Sequence, residues 1–191
     1  MSGLVPWFVL SYPRCRTAWL SVFLQGAGVP CFHEAWKQAG TPAEMRALME
    51  SYGPGPVVNS DCSNIFFLDE IKQEFPEAKY LILGSNDAAI LSSLKASYGD
   101  LDYQDMMTAY RAAFARVTSC DLQVNVSEWD LNASRRIFQE IAGKPVDEGW
   151  LNQVSGMLVQ LMPEQIIEDI QRAARGEFRH IEERMWRPTW A

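Results

Sequence analysis

The sequence predicts an α/β protein of three layers, a mostly parallel sheet with helices on both faces and a helical C-terminal part. Three observations carry this. Short apolar runs recur through residues 4–126, each cut off by a polar or proline-containing stretch. Segments of helical periodicity separate them, which is the pattern of strand–helix–strand units with parallel pairing. The polar stretches Ser11–Thr17, His33-Glu34, Asn59–Asn64 and Gly84–Asp87 each fall where a strand ends. In such sheets ligands sit beyond the carboxyl ends of the strands.

The elements follow in order. Residues 5–11 read as a buried strand ended by Tyr12-Pro13. Residues 15–26 read as a helix with Trp19, Leu20, Phe23 and Leu24 on one side, stopped by Gly26 and Gly28. Val29–Phe32 is a short second strand. Thr41-Pro42-Ala43-Glu44 has the threonine, proline and glutamate of a capped helix start, so a helix runs to about Tyr52. Val57-Val58 marks a third strand, residues 64–74 a helix, and Ala78–Leu83 a fourth strand. A helix then runs to Ser97. Residues 102–118 place Tyr103, Met106, Tyr110, Phe114 and Val117 on one face, most simply a core face. Leu122–Val126 alternates as a last strand. From about 131 the chain reads helical, with a break at Gly143-Lys144-Pro145 and a stripe of Ile166, Ile170, Ala174, Phe178 and Ile181. The expected organisation is one domain over 1–160, with a C-terminal helix and tail, 161–191, packed on it.

Composition narrows the function classes. Of 191 residues 48% are hydrophobic and 21% charged, enough apolar content for a sizeable core. No apolar stretch reaches the ~20 residues of a membrane-spanning helix. Leu4–Leu10 is short for the core of a signal peptide and has no basic region before it. The cytoplasm is therefore the default location. Net charge is −7 and unevenly spread. Residues 1–37 carry Arg14, Arg16 and Lys37 against Glu34 alone. The middle is strongly acidic, and residues 172–191 are again basic. This balance opposes broad nucleic-acid binding and favours a small anion near the first loop. The cysteines, Cys15, Cys31, Cys62 and Cys120, lack C-x-x-C spacing, and only two histidines exist, so neither a structural zinc site nor disulfides are expected.

The stretch "VLSYPRCRTAWL" is the most informative. A helix start leaves about four backbone N–H groups unpaired and carries a partial positive charge, so a strand–loop–helix junction suits a phosphate or sulfate. Arg14 and Arg16 add full charges with forked donors, and Thr17 adds a hydroxyl. The Walker pattern is absent, and no glycine stands between Ser11 and Leu24.

"SYPRCRTAWL" resembles the 5′-phosphosulfate-binding loop of sulfotransferases. It resembles more closely still a branch of short bacterial and phage sulfotransferase-like proteins whose loop reads P-R-S-R-T-A-W. "CFHEAW", "VVNSDCSN" and "FPEAKYLILGSNDAAILSSL" match further segments of that branch in the same order. The resemblance covers residues 4–126. It implies a P-loop-type α/β fold, 3′-phosphoadenosine-5′-phosphosulfate as donor, and transfer of a sulfuryl group to a hydroxyl or amine. By position, Arg14 stands beside the 5′-phosphate and the transferring sulfate, Thr17 bonds that phosphate, and Cys15, Arg16, Ala18, Trp19 and Ser92 complete the nucleotide site. Trp19 serves equally well as core. Three positions depart from the pattern. Cys15 replaces a serine, Ala18 a threonine, and Gly84 the arginine that holds the 3′-phosphate.

Transfer needs a base for the acceptor proton. His33 and Glu34 are the candidates, with Glu34 preferred as base and His33 orienting it or touching the acceptor. As neighbours on a strand their side chains should point oppositely, so that one faces the site. The structural alternative is a satisfied histidine and a helix-start carboxylate. Asp61, with Ser60 and Ser63, either orients acceptor or base or simply caps a turn. Cys15, flanked by two arginines at a helix start, should have a lowered pKa. It reads more simply as a small loop residue than as a nucleophile, since position 21 is serine and C-x5-R fails. The partners implied are a nucleotide and an unidentified acceptor, with neither nucleic acid nor a membrane span. The Arg/Trp-rich tail "RHIEERMWRPTW" is a candidate protein contact. Two other readings stay open: a non-catalytic interaction protein on the same fold with a relic anion site, and a phosphotransferase using another nucleotide.

Overall fold

The computed structural model describes residues 3–157, 159, 168 and 171–181. Five strands form one fully parallel sheet: β1 (Leu4–Ser11), β2 (Cys31–His33), β3 (Gly55–Ser60), β4 (Lys79–Gly84) and β5 (Leu122–Asn125), in the order β2-β3-β1-β4-β5. The central strand β1 pairs Trp7 with Val58 on one side and with Lys79 on the other. Side chains alternate across a strand, so β1 feeds two cores. Trp7 and Val9 enter one with Leu20, Phe23 and Phe138, while Phe8 and Leu10 enter the other with Trp36, Phe67 and Phe75. Burial on both faces explains why this strand reads as a continuous apolar run.

Helix α1 (Thr17–Gly26) leads from β1 toward the β2 edge, and α4 (Asp87–Tyr98) and α5 (Gln104–Phe114) lead from β4 toward β5. The connections thus leave β1 and β4 in opposite directions, and a crevice opens at the carboxyl ends of these strands. Between β2 and β4 come α2 (Pro42–Glu50) and α3 (Leu68–Glu74). Thr41 and Glu44 form the expected capping box on α2. Helices α6 (Leu131–Ala142) and α7 (Glu148–Ser155) flank the expected break, and Gly143 ends α6 at φ 67°.

Some expectations shift. The first helix opens at Thr17 because Arg14 and Arg16 take left-handed backbone. The segment expected as a helix from 64 is a 3₁₀ stretch, Cys62–Phe67, before α3. On α5 the buried positions are Met107, Tyr110 and Ala113. The C-terminal stripe is corrected in part. Phe178 and Ile181 are buried, but Ala174 is exposed and Ala173 packs instead, because a turn at Gly176 (φ 76°) resets the helical phase. Ile166, Ile170 and the tail beyond Ile181 lie outside the described residues. Residues 171–181 pack against the core that holds Trp36, and the second imidazole, His180, sits with Nε2 2.6 Å from the Trp36 carbonyl. Among the described residues no helix is long and apolar enough to cross a membrane.

Candidate anion-binding cavity

The strand β1 ends at the buried Ser11. The Tyr12 ring then stacks on Phe114 at 4.6 Å, and Pro13 cannot continue the ladder. Arg14 (φ 67°) and Arg16 (φ 61°) both adopt left-handed backbone, which costs a non-glycine residue about 1–2 kcal/mol. A glycine-free loop is thus made by two arginines in a glycine conformation. Alternating backbone of this kind turns amides toward a common centre, as in anion-binding nests. The helix behind it completes the arrangement. Arg16 is the N-cap residue of α1, makes no side-chain cap, and no acidic residue stands in the first turn. By contrast α2, α4, α6 and α7 are capped by Thr41, Asn86, Asp130 and Asp147, and α3 and α5, which also lack a side-chain cap, carry acidic residues in the first turn. The head of α1 keeps its amide donors open.

Arg14 and Arg16 both line one cavity of about 310 Å3. Arg14 donates from Nε to Ser93 Oγ at 3.1 Å, and its guanidinium lies 5.9 Å from the Tyr98 ring centre. Arg16 lies 5.8 Å from the Trp129 ring. Neither pairs with a carboxylate among the described residues. Arg46, Arg111, Arg116, Arg135, Arg172 and Arg175 all do. In a chain of net charge −7, two arginines at a helix head with no ionic partner among the described residues form a concentrated positive site.

Thr17, Ala18 and Trp19 contribute from α1. The Thr17 carbonyl accepts from Ser60 Oγ at 2.9 Å, which ties the end of β3 to the helix head. Trp19 is mainly a core residue. It is 7% exposed, donates to the Val154 carbonyl at 3.1 Å and stacks on Phe23. Through that bond the end of α7 reaches the cavity, which Ser155 and the apolar Met157 and Val159 line.

His33 and Glu34 both line the cavity, which corrects the expectation that one of them turns away. Strand β2 stops at His33, and Glu34 enters left-handed backbone at φ 57°, so strand alternation no longer applies. His33 Nε2 is 3.4 Å from Thr17 Oγ1, and Nδ1 is 4.0 Å from Glu34 Oε2. Glu34 Oε2 also accepts from Lys37 Nζ at 2.6 Å, across the 3₁₀ turn Ala35–Lys37. Below this turn Trp36 stacks flat on Phe67 at 3.9 Å and donates to Asn64 Oδ1 at 2.7 Å. Asn64 in turn donates to the Val9 carbonyl.

Asp61 is 3% exposed and takes the turn-capping role. Its Oδ1 accepts from Ser63 N at 2.9 Å and Ser63 Oγ at 2.7 Å, and Oδ2 accepts from Trp36 N at 3.5 Å. Burial pushes its carboxyl above the usual range. The Ser63 bonds oppose this, while Glu34 adds to the rise.

Two other sequence-derived site residues are placed differently. The Cys15 side chain is 1% exposed in the core, and burial pushes its thiol up to about 11, the reverse of the expected lowering. The sulfur leaves water for the core, and this loss of hydration outweighs the lowering by the backbone bond at Tyr12. Ser92 is exposed on α4 and does not line the cavity, whereas Ser93, one helical step on, bonds Arg14. Gly84 ends β4 opposite Asn125, and a Cβ there would meet only the Val124 carbonyl at 4.0 Å. Tyr98 and Trp129 were not legible as site residues, since each reaches the loop arginines through tertiary contacts alone. Lys37 joins locally, three residues after Glu34. All four cysteines are free, and among the described residues no cluster of three His, Cys, Asp or Glu side chains is placed to hold a metal ion.

Sheet order, crevice and strand–loop–helix junction define an α/β protein with a P-loop-like architecture. No protein-family model matches the chain, and no curated protein matches it. Among solved structures, it is similar to shikimate kinase from Bacteroides thetaiotaomicron, at 15% identity over 71% of this chain and 97% of that one, with a TM-score of 0.46.

Proposed function

We propose that this protein binds a phosphosulfate nucleotide in the cavity at the head of α1 and transfers its sulfuryl group to a hydroxyl or amine acceptor. The observation that supports the reading most is the pair Arg14 and Arg16, which have no carboxylate partner among the described residues and stand beside a helix start without a side-chain cap. A tetrahedral oxyanion there receives amide donors and two guanidinium forks. The donor in this reading is 3′-phosphoadenosine-5′-phosphosulfate, as the loop resemblance implies.

His33 is the acceptor base and Glu34 its orienting partner. This reverses the order of preference drawn from the sequence, because Lys37 holds the Glu34 carboxylate in an ion pair while His33 Nε2 faces Thr17 at the helix head. The acceptor oxygen or nitrogen attacks sulfur and the bond from sulfur to the 5′-phosphate oxygen breaks. The nucleotide leaves with that electron pair, and His33 takes the acceptor proton. A second reading, an interaction protein with a relic anion site, is favoured by one observation: Gly84 stands where the family pattern has its 3′-phosphate arginine.

Thermal unfolding with 3′-phosphoadenosine-5′-phosphate, and separately with ATP, tests the proposal. At ~100-fold excess over Kd, binding stabilises by ~2.7 kcal/mol. Stabilisation by the first ligand, lost in Arg14→Ala, is expected. A response to ATP alone moves the reading to a phosphotransferase, and no response to either leaves the interaction protein.

A further inference from the structure

We propose that Tyr98 and Trp129 are positioning residues of the anion site, each ring holding one loop guanidinium over the cavity without neutralising it. This rests on the reading of the cavity as an anion site. A carboxylate partner would fix an arginine equally well but would occupy its N–H forks and cancel its charge. An aromatic face attracts the guanidinium through the ring quadrupole and leaves the edge donors available for oxygen.

The contacts support a division of this kind. Four described arginines lie over aromatic rings: Arg14 on Tyr98, Arg16 on Trp129, Arg46 on Phe75 and Arg172 on Phe178. Arg46 and Arg172 also pair with Glu74 and Glu177, whereas Arg14 and Arg16 pair with no carboxylate among the described residues. The two cavity rings come from elements outside the loop. Tyr98 ends α4 and is 42% exposed, so core packing does not explain its position. Trp129 is fixed from behind, with Nε1 donating to Ser134 Oγ at 2.8 Å and its ring edge-on to Trp19 at 5.5 Å. Arg14 and Arg16 are thus each held by an uncharged support from a different part of the fold.

The test measures affinity for inorganic pyrophosphate and for 3′-phosphoadenosine-5′-phosphate by calorimetry in the full chain. Tyr98→Leu is expected to weaken both about two- to fivefold, the size of an exposed cation–π contact, and Tyr98→Phe to restore them. Tyr98→Glu, which supplies the competing carboxylate, is expected to cost more than Tyr98→Leu. Trp129→Leu and Trp129→Phe repeat the comparison at Arg16, with ligand-free melting temperatures monitoring the fold. Because Tyr98 is exposed and lies outside the core, its variants decide the matter if Trp129→Leu does not fold. Wild-type affinity in Tyr98→Leu, or in Tyr98→Glu, overturns the proposal and leaves the anion site standing. A wild-type protein that binds neither probe overturns the anion site and this proposal with it.

Discussion

Lys37 Nζ donates to Glu34 Oε2 at 2.6 Å across the turn that follows β2, and the same carboxylate oxygen lies 4.0 Å from His33 Nδ1. Glu34 therefore faces a committed ammonium on one side and an imidazole on the other. This geometry makes different demands on the two residues. His33→Asn should leave 3′-phosphoadenosine-5′-phosphate affinity within about twofold and lower transfer by ~100-fold or more, the contribution of a general base. Glu34→Gln should lower transfer by a smaller factor, and Lys37→Met should resemble it. Nucleotide release from the donor in the presence of an acceptor panel measures all three. If Glu34→Gln loses more than His33→Asn, the two roles are reversed.

The two left-handed arginines predict a conflict between stability and binding. Arg16→Gly relieves left-handed backbone strain of about 1–2 kcal/mol, partly offset by the extra freedom of glycine in the unfolded chain. Arg16→Ala loses the same side chain but keeps the strain. In urea unfolding the glycine variant should be more stable than the alanine variant by about 1 kcal/mol, while both bind pyrophosphate more weakly than wild type. Equal stability of the two would mean that φ 61° at position 16 carries no strain.

Gly84 allows a gain of function to be tested. Its backbone is not left-handed, and the nearest atom to an added Cβ is a carbonyl oxygen 4.0 Å away. Gly84→Arg should therefore fold normally. If the 3′-phosphate lies at the end of β4, a new hydrogen-bonded guanidinium is worth ~1.5–3 kcal/mol, at least tenfold in affinity. That gain should appear for 3′-phosphoadenosine-5′-phosphate and not for adenosine 5′-monophosphate. Equal gains for both would place the new charge near the 5′ end instead.

The strands were legible because β1, β3 and β4 hold short buried apolar runs and β5 alternates buried apolar with exposed polar residues, and the ends of β1, β2, β3 and β4 carry the polar stretches that converge on the crevice. Local chemistry of this type survives tertiary context, as the Thr41–Glu44 capping box does. What could not be read depended on single backbone angles or on distant packing. Glu34 at φ 57° brings two neighbours to one cavity, a result period-two alternation cannot produce. The Cys15 thiol faces the core, so burial governs its acidity and not the adjacent arginines. Ser93 replaces Ser92 because one residue rotates a helix by about 100°. Trp129 stands 113 positions beyond Arg16, and no local pattern links them.

Asp61 gives the site a pH signature. Burial raises its carboxyl above the ordinary aspartate range, with Glu34 adding to the rise and the Ser63 bonds and His33 opposing it. Between the unfolded and the folded pKa, the native state then holds a proton that the unfolded chain has released. Stability from this group is complete below the unfolded pKa of about 4 and is lost as pH rises through the folded value. The slope is negative, with a limit of about 1.4 kcal/mol per pH unit for one proton. Asp61→Asn keeps an oxygen for the Ser63 amide and hydroxyl but does not titrate. Urea unfolding at pH 4, 5, 6 and 7 should show wild type losing stability relative to Asp61→Asn as pH increases. A difference that stays flat, or that grows in favour of wild type, would mean that the Ser63 bonds outweigh burial and that Asp61 is an ordinary ionised cap.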